Sequence, residues 1–272
     1  MQPKMLSLPS QKIAYYESAG TGPAIMLIHG NSSSGRAFQR QLNSPLGEKF
    51  RLVAIDLPGH GDSEPFADPA SYSLPGYAAV VAAAAKALGM EDAVFVGWSL
   101  GGHIVLEAHN LLEKARGFVI FGTPPLAFPP AMEEAFLPNP VVNVGFKAEV
   151  TEEEARAYAA SFFAPGTPAP EEPFVTDILR ADGNARAGLA ASIRPGGYQD
   201  EVAIVANLSK PLAVFHGEQE QLVSQDYIRQ LPMPTLWRGE IQVIRAAGHA
   251  PHWEQPAEFN RLLEAFVTEV AQ

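Results

Sequence analysis

Gly97-Trp98-Ser99-Leu100-Gly101-Gly102 stands between the apolar run Ala93 to Val96 and a longer apolar stretch, His103 to Leu112. Four consecutive apolar residues read as a buried strand, and the longer stretch has the length of a helix, so Ser99 falls on a strand-to-helix turn. Such a turn is sharp and strains the serine backbone. It needs small neighbours because the helix approaches the strand closely, and Gly97, Gly101 and Gly102 supply them. A helix starting just after Ser99 points backbone N–H groups and a partial positive charge at its hydroxyl, so the Leu100 N–H can receive a developing oxyanion.

Outward from this turn, similar runs recur at Ala24 to Ile28, Leu52 to Ile55, Phe118 to Phe121, Leu212 to Phe215 and Ile241 to Ile244. They are apolar at consecutive positions, the pattern of strands covered on both faces in a parallel sheet. The Ala-rich segment Leu74 to Leu88, with Pro75 in its first turn and Gly89 as its stop, reads as a crossover helix. With Leu6 to Glu17 as an antiparallel start, the rhythm predicts an α/β fold: a mostly parallel sheet of about eight strands flanked by helices.

The rhythm breaks between Pro124 and Leu208. This proline-rich stretch shows no buried strand, and it predicts a helical cap (124–208) inserted into a core made of 1–123 and 209–272. Thr151 followed by Glu154 reads as a capping box opening a helix through Phe163, and Pro173 as the opening of a second through Arg186. The cap gathers Phe128, Phe136, Phe146, Tyr158, Phe162, Phe163 and Phe174. Phe128, Phe136, Phe162 and Phe163 are candidates for an apolar substrate channel, against the simpler reading that they glue the cap to the core.

The loop after the first long strand, His29-Gly30-Asn31-Ser32-Ser33-Ser34-Gly35, is placed to supply a second oxyanion donor. The Asn31 N–H is chosen, its side chain being a further candidate for the substrate carbonyl. Gly30 lets the chain turn, and with Trp98 it is counted among the substrate-binding residues, while His29 braces the loop. A serine nucleophile needs a base and an orienting carboxylate. Among seven histidines, His249 lies in Ala247-Gly248-His249-Ala250-Pro251, just beyond the last strand and so at the same sheet edge as Ser99. His252 is the alternative there, and His103 packs on its helix or lines the pocket. For the acid, Phe215-His216-Gly217-Glu218-Gln219-Glu220 offers two carboxylates. Glu220 is preferred because it falls three residues after the glycine, and Glu218 stays open. The other loop that could carry an acid, Gly122-Thr123-Pro124-Pro125, has none.

Composition narrows the partners. The chain has 272 residues, 47% hydrophobic and 18% charged, with no cysteine and a formal charge of −11. That field repels phosphate backbones and anionic lipid surfaces, so neither nucleic acid nor membrane is expected as a partner. Lack of cysteine removes disulfides and thiolate chemistry, and no His-x-His pair suggests a metal site, so no metal or cofactor is expected. Met1 to Tyr16 contains no signal-peptide core and no run approaches the roughly 20 apolar residues of a membrane span, which makes a cytoplasmic location the expectation.

Together with Asp56-Leu57-Pro58-Gly59-His60-Gly61-Asp62-Ser63, these motifs resemble the α/β-hydrolase superfamily over essentially the whole chain. Within it, His29-Gly30-Asn31-Ser32-Ser33-Ser34-Gly35, Gly97-Trp98-Ser99-Leu100-Gly101-Gly102-His103-Ile104 and a glutamate acid are similar to the metal-independent N-acyl-homoserine lactonases. The resemblance implies a carboxylic ester hydrolase with the triad Ser99, Glu220 and His249, the oxyanion asparagine at Asn31, a cap tyrosine near the lactone at Tyr158, and a small acyl lactone or ester as substrate. The alternatives are a carboxylesterase or carbon–carbon bond hydrolase with the same triad, or a hydrolase-fold lactone receptor.

Overall fold

The computed structural model describes residues 2–271. Eight strands, β1 (Lys4–Ser7), β2 (Lys12–Glu17), β3 (Gly22–Ile28), β4 (Phe50–Ile55), β5 (Val94–Trp98), β6 (Gly117–Phe121), β7 (Leu212–Gly217) and β8 (Gln242–Ile244), form one sheet in the order β1-β2-β4-β3-β5-β6-β7-β8. β2 pairs antiparallel with both β1 and β4, and the remaining neighbours are parallel. Every residue of β5, β6 and β7 is buried, as expected of strands covered on both faces. The helix Leu74–Ala87 packs on the helix Leu100–Glu107, and the C-terminal helix Pro256–Val270 packs with Gln39–Leu42 and Pro251–Glu254.

The strand order places the site. From β3 the chain turns to β4 on one side and later to β5 on the other, so β3 and β5 flank the point where the order reverses. In an open α/β sheet the loops leaving the carboxyl ends of such strands diverge and leave a crevice. Ser99 follows β5 and Asn31 follows β3, so both stand at its edge.

Between β6 and β7 the chain is helical and irregular, and it covers this crevice. Thr151 and Glu154 form the expected reciprocal capping box, but the helix they open is Glu152–Ala160 and stops short of Phe163. The Ser161 hydroxyl there donates to the Tyr158 carbonyl (2.7 Å), satisfying a helix-end acceptor. The helix expected from Pro173 through Arg186 is broken. It ends after Thr176–Arg180, Ala181 is extended, and Asp182 caps a separate helix, Gly183–Ser192. Tertiary bonds fix the break: the Asp182 N–H donates to the Gly59 carbonyl (2.8 Å), and its carboxylate accepts the Tyr72 hydroxyl (2.7 Å).

Candidate active site

β5 delivers Ser99 into a turn with φ 53° and ψ −118°, a region that side chains seldom occupy. Neighbouring groups hold it there. The Ser99 N–H donates to the Phe121 carbonyl (2.9 Å), and its own carbonyl accepts the Thr123 hydroxyl (2.8 Å) and the Gly102 N–H (2.9 Å). A Cβ on Gly97 would lie 2.3 Å from the Gly101 carbonyl oxygen, and one on Gly101 would lie 2.2 Å from that of Ile28. The close helix-to-strand approach read from the sequence is therefore physical. Gly30 backs directly onto Ser99 and Trp98.

The loops after β7 and β8 bring Glu220 and His249 together. His249 Nδ1 lies 2.8 Å from Glu220 Oε2, with both side chains almost fully buried. The other Glu220 oxygen accepts the Leu222 N–H (2.8 Å). Burial pushes the Glu220 carboxyl up, but the His249 imidazole outweighs it, and the group stays below the ordinary carboxylate range. With Nδ1–H on the carboxylate, His249 presents a lone pair at Nε2, a buried atom without a hydrogen-bond partner among the described residues, on a side chain that lines the same cavity as Ser99. Glu218 is exposed and accepts the Ala246 N–H (3.1 Å). His252 is sealed among Trp98, Phe38 and Phe121, and burial drives its pKa well below the usual histidine value, so it is a neutral core residue.

Asn31 lines the cavity, but its side chain is engaged elsewhere. Nδ2 donates to the Gly145 carbonyl (2.6 Å) and Oδ1 accepts the Ser32 hydroxyl (3.2 Å). The side-chain contact to substrate is thus pre-empted by a backbone carbonyl, which leaves the N–H groups of Asn31 and Leu100 as the candidate donors. As the first residue of its helix, Leu100 has an N–H outside the helical ladder.

The cavity holds about 100 Å³ of open space above Ser99 and His249. Of the four phenylalanines assigned to a substrate channel, Phe136 alone lines it, with Tyr158 beside it. Phe128 is 38% exposed and stacks on Tyr198. Phe162 wedges between Trp98 and Tyr158, and its carbonyl takes the Ala250 N–H (2.7 Å). Phe163 stacks on Phe174, and its carbonyl takes the Gln221 amide (2.7 Å). Both therefore fasten the covering segment to the loops of His249 and Glu220. Trp98 is not a lining residue either: its indole N–H donates to the His249 carbonyl (2.8 Å). The sequence reading missed Leu126, Met132, Val142, Leu189, Ile193 and Leu222 as lining residues. Apolar residues at such spacings look the same whether they face a core or a cavity. Phe146, one of the noted aromatics, does line it.

Among the described residues no cluster of His, Asp or Glu could hold a metal, and no helix is long and apolar enough to cross a membrane.

Comparison with known proteins identifies the family. Residues 25–262 match the model of the alpha/beta hydrolase family. A solved variant of the N-acyl homoserine lactonase AidH, complexed with N-hexanoyl homoserine lactone, is 37% identical with a TM-score of 0.94, over 99% of this chain and 98% of that one. AidH complexed with N-butanoyl homoserine gives a TM-score of 0.95 at the same identity, over 100% and 98% of the two chains. Among curated proteins, a pimeloyl-[acyl-carrier protein] methyl ester esterase of Xylella fastidiosa (strain M12) is 28% identical, over 93% of this chain and 98% of the relative. The match to the family model spans nearly the whole chain and covers every element that positions Ser99, Glu220 and His249, so this protein belongs to the alpha/beta hydrolase family.

Proposed function

We propose that the protein opens the lactone ring of N-acyl homoserine lactones, with Ser99, His249 and Glu220 as a catalytic triad and residues 124–208 as the cap that covers the substrate. His249 takes the Ser99 proton at Nε2, and the Ser99 oxygen attacks the ring carbonyl. The N–H groups of Asn31 and Leu100 receive the oxyanion, and His249 returns the proton to the leaving alkoxide. Glu220 keeps the imidazole in the required tautomer and stabilises its charged form. A lactone keeps its leaving alcohol tethered to the acyl-enzyme, where its high effective molarity favours re-closure. Turnover then needs either a water ordered for fast deacylation or direct attack by a water that His249 activates.

The observation that carries this reading is the buried His249–Glu220 pair, whose imidazole lines an apolar cavity with Ser99, in a chain 37% identical along its length to a lactonase. The curated methyl ester esterases favour a second reading, hydrolysis of a linear carboxylic ester. Turnover of N-acyl homoserine lactones of graded length, beside aryl esters and a dicarboxylic acid monomethyl ester, separates the two. The lactonase reading expects the lactones to give the highest kcat/KM. It also expects Ser99→Ala to lose at least about 10³-fold while folding normally. Methyl ester turnover without lactone turnover would replace it with the second reading.

A further inference from the structure

The helix that begins after Ser99 carries a second imidazole into the same cavity. His103 stands one turn beyond Ser99, and its Nδ1 lies 2.9 and 2.8 Å from the two oxygens of Glu201, whose side chain is fully buried. One of those oxygens also accepts the N–H of Leu126, itself a lining residue (2.8 Å). The carboxylate is thus fixed on two sides. It holds the His103 Nδ1–H, and in the neutral ring this tautomer leaves a lone pair at Nε2. Nε2 makes no hydrogen bond to any described residue and is not among the sealed polar atoms, on a ring that lines the cavity. Burying a carboxylate carries a large desolvation cost, more than filling space with an apolar side chain would require.

We infer that His103, oriented by Glu201, is a specificity-determining residue that accepts a hydrogen bond from a hydroxyl on the acyl side of the substrate. Ser99 stands just ahead of the helix and His103 one turn along it, a rise of about 6 Å. An extended chain covers about that distance in five bonds, so the carbon bearing the hydroxyl sits about five bonds from the carbonyl carbon that Ser99 attacks. In an N-acyl homoserine lactone this is the third acyl carbon. A keto group there offers only lone pairs to the Nε2 lone pair, and an unsubstituted chain leaves Nε2 without a partner. The substrate class is therefore the 3-hydroxyacyl lactones. The identity of the substrate rests on the lactonase reading, whereas the role of His103 does not.

The test compares kcat/KM for N-(3-hydroxyhexanoyl), N-(3-oxohexanoyl) and N-hexanoyl homoserine lactone in the wild type, His103→Asn and His103→Gln. The wild type is expected to prefer the hydroxyl compound over the unsubstituted one by about tenfold, because a polar site rejects an analogue that leaves it unpaired. Asparagine keeps a donor where Nδ1 meets Glu201 but ends short of Nε2, so the preference should fall to within about twofold of unity. Glutamine places an amide oxygen near the Nε2 position and should keep part of the preference. A residue that only braced Glu201 would give the opposite pattern, with His103→Asn retaining the wild-type ratio, and that result would overturn the inference. So would a wild type without preference for the hydroxyl. If aryl esters are hydrolysed and none of the lactones is, the lactonase reading fails, and the aryl esters of 6-hydroxyhexanoic and hexanoic acid, with the hydroxyl at the same separation, decide the role of His103.

Discussion

Gly122 brings the backbone against the His249 ring, and Gly122→Ala perturbs that contact directly. The residue follows β6 with φ +61°, and a Cβ there would lie 2.7 Å from His249 Cε1, 3.0 Å from Nδ1 and 3.1 Å from Nε2. An alanine in that conformation costs about 1–2 kcal/mol of backbone strain. Carbon atoms rest about 3.5–4.0 Å apart, so the ring must also retreat by about 1 Å. Glu220 holds Nδ1 at 2.8 Å, so the movement either stretches that bond or swings Nε2 away from Ser99. A displacement of this size in a catalytic group costs about 10²-fold in rate. Gly89→Ala is the matched control, since Gly89 has φ +63° with nothing within 4 Å of a built Cβ. It carries the same strain without crowding. Both variants should lose about 2–4 °C in Tm per kcal/mol of strain. Aryl ester kcat should fall about 100-fold in Gly122→Ala and stay within about twofold of wild type in Gly89→Ala. Near-native kcat in Gly122→Ala, or equal losses in both, would refute the reasoning.

Glu220→Gln keeps the shape but removes the charge that orients His249, so it should lose about 10³-fold or more in kcat, whereas the exposed Glu218→Gln should lose less than about tenfold; the reverse ranking would move the acid to Glu218. Phe136→Ala should flatten the rise of kcat/KM with acyl length, because each buried methylene contributes up to about 0.8 kcal/mol. Phe163→Ala should instead lower stability by about 3–5 kcal/mol and slow long and short substrates alike, and equal effects of the two variants would show that Phe136 is not part of the channel. Asp56 is sealed at the end of β4, where burial above all, with Asp177 and Asp62 nearby, raises its carboxyl from 3.8 to about 7 despite N–H donors from Asp62 and Gly35. The folded state then holds a proton that the unfolded state has released between about pH 4 and 7, so this group's contribution to stability falls as pH rises through that window and levels off above it. The Tm difference between wild type and Asp56→Asn, followed across that range, should show this slope, and parallel curves would refute it.

The strands, the crossover helix Leu74–Ala87, the turn at Ser99 and the capping box at Thr151 were legible because each depends on neighbours within a few residues. The break at Asp182 was not, since its causes are the Gly59 carbonyl and the Tyr72 hydroxyl, both remote in sequence. The same division runs through the site. Ser99 announces itself through glycines two and three residues away, whereas nothing local separates Phe136, which lines the cavity, from Phe162 and Phe163, which hold the covering segment down.

By itself the sequence determined the sheet and the loops that carry the serine, the histidine and two carboxylates, because apolar runs and glycine-flanked turns are short-range constraints on the backbone. Only the tertiary structure decided that Glu220 and not Glu218 reaches His249, that His252 is a neutral core residue, that the Asn31 side chain is already engaged by the Gly145 carbonyl, and that Glu201 stands behind His103. Each of these depends on the direction of a side chain across a distance of tens to more than a hundred residues. Burial, charge and hydrogen bonding fix that direction once the chain is folded, and they leave no periodic trace in the sequence.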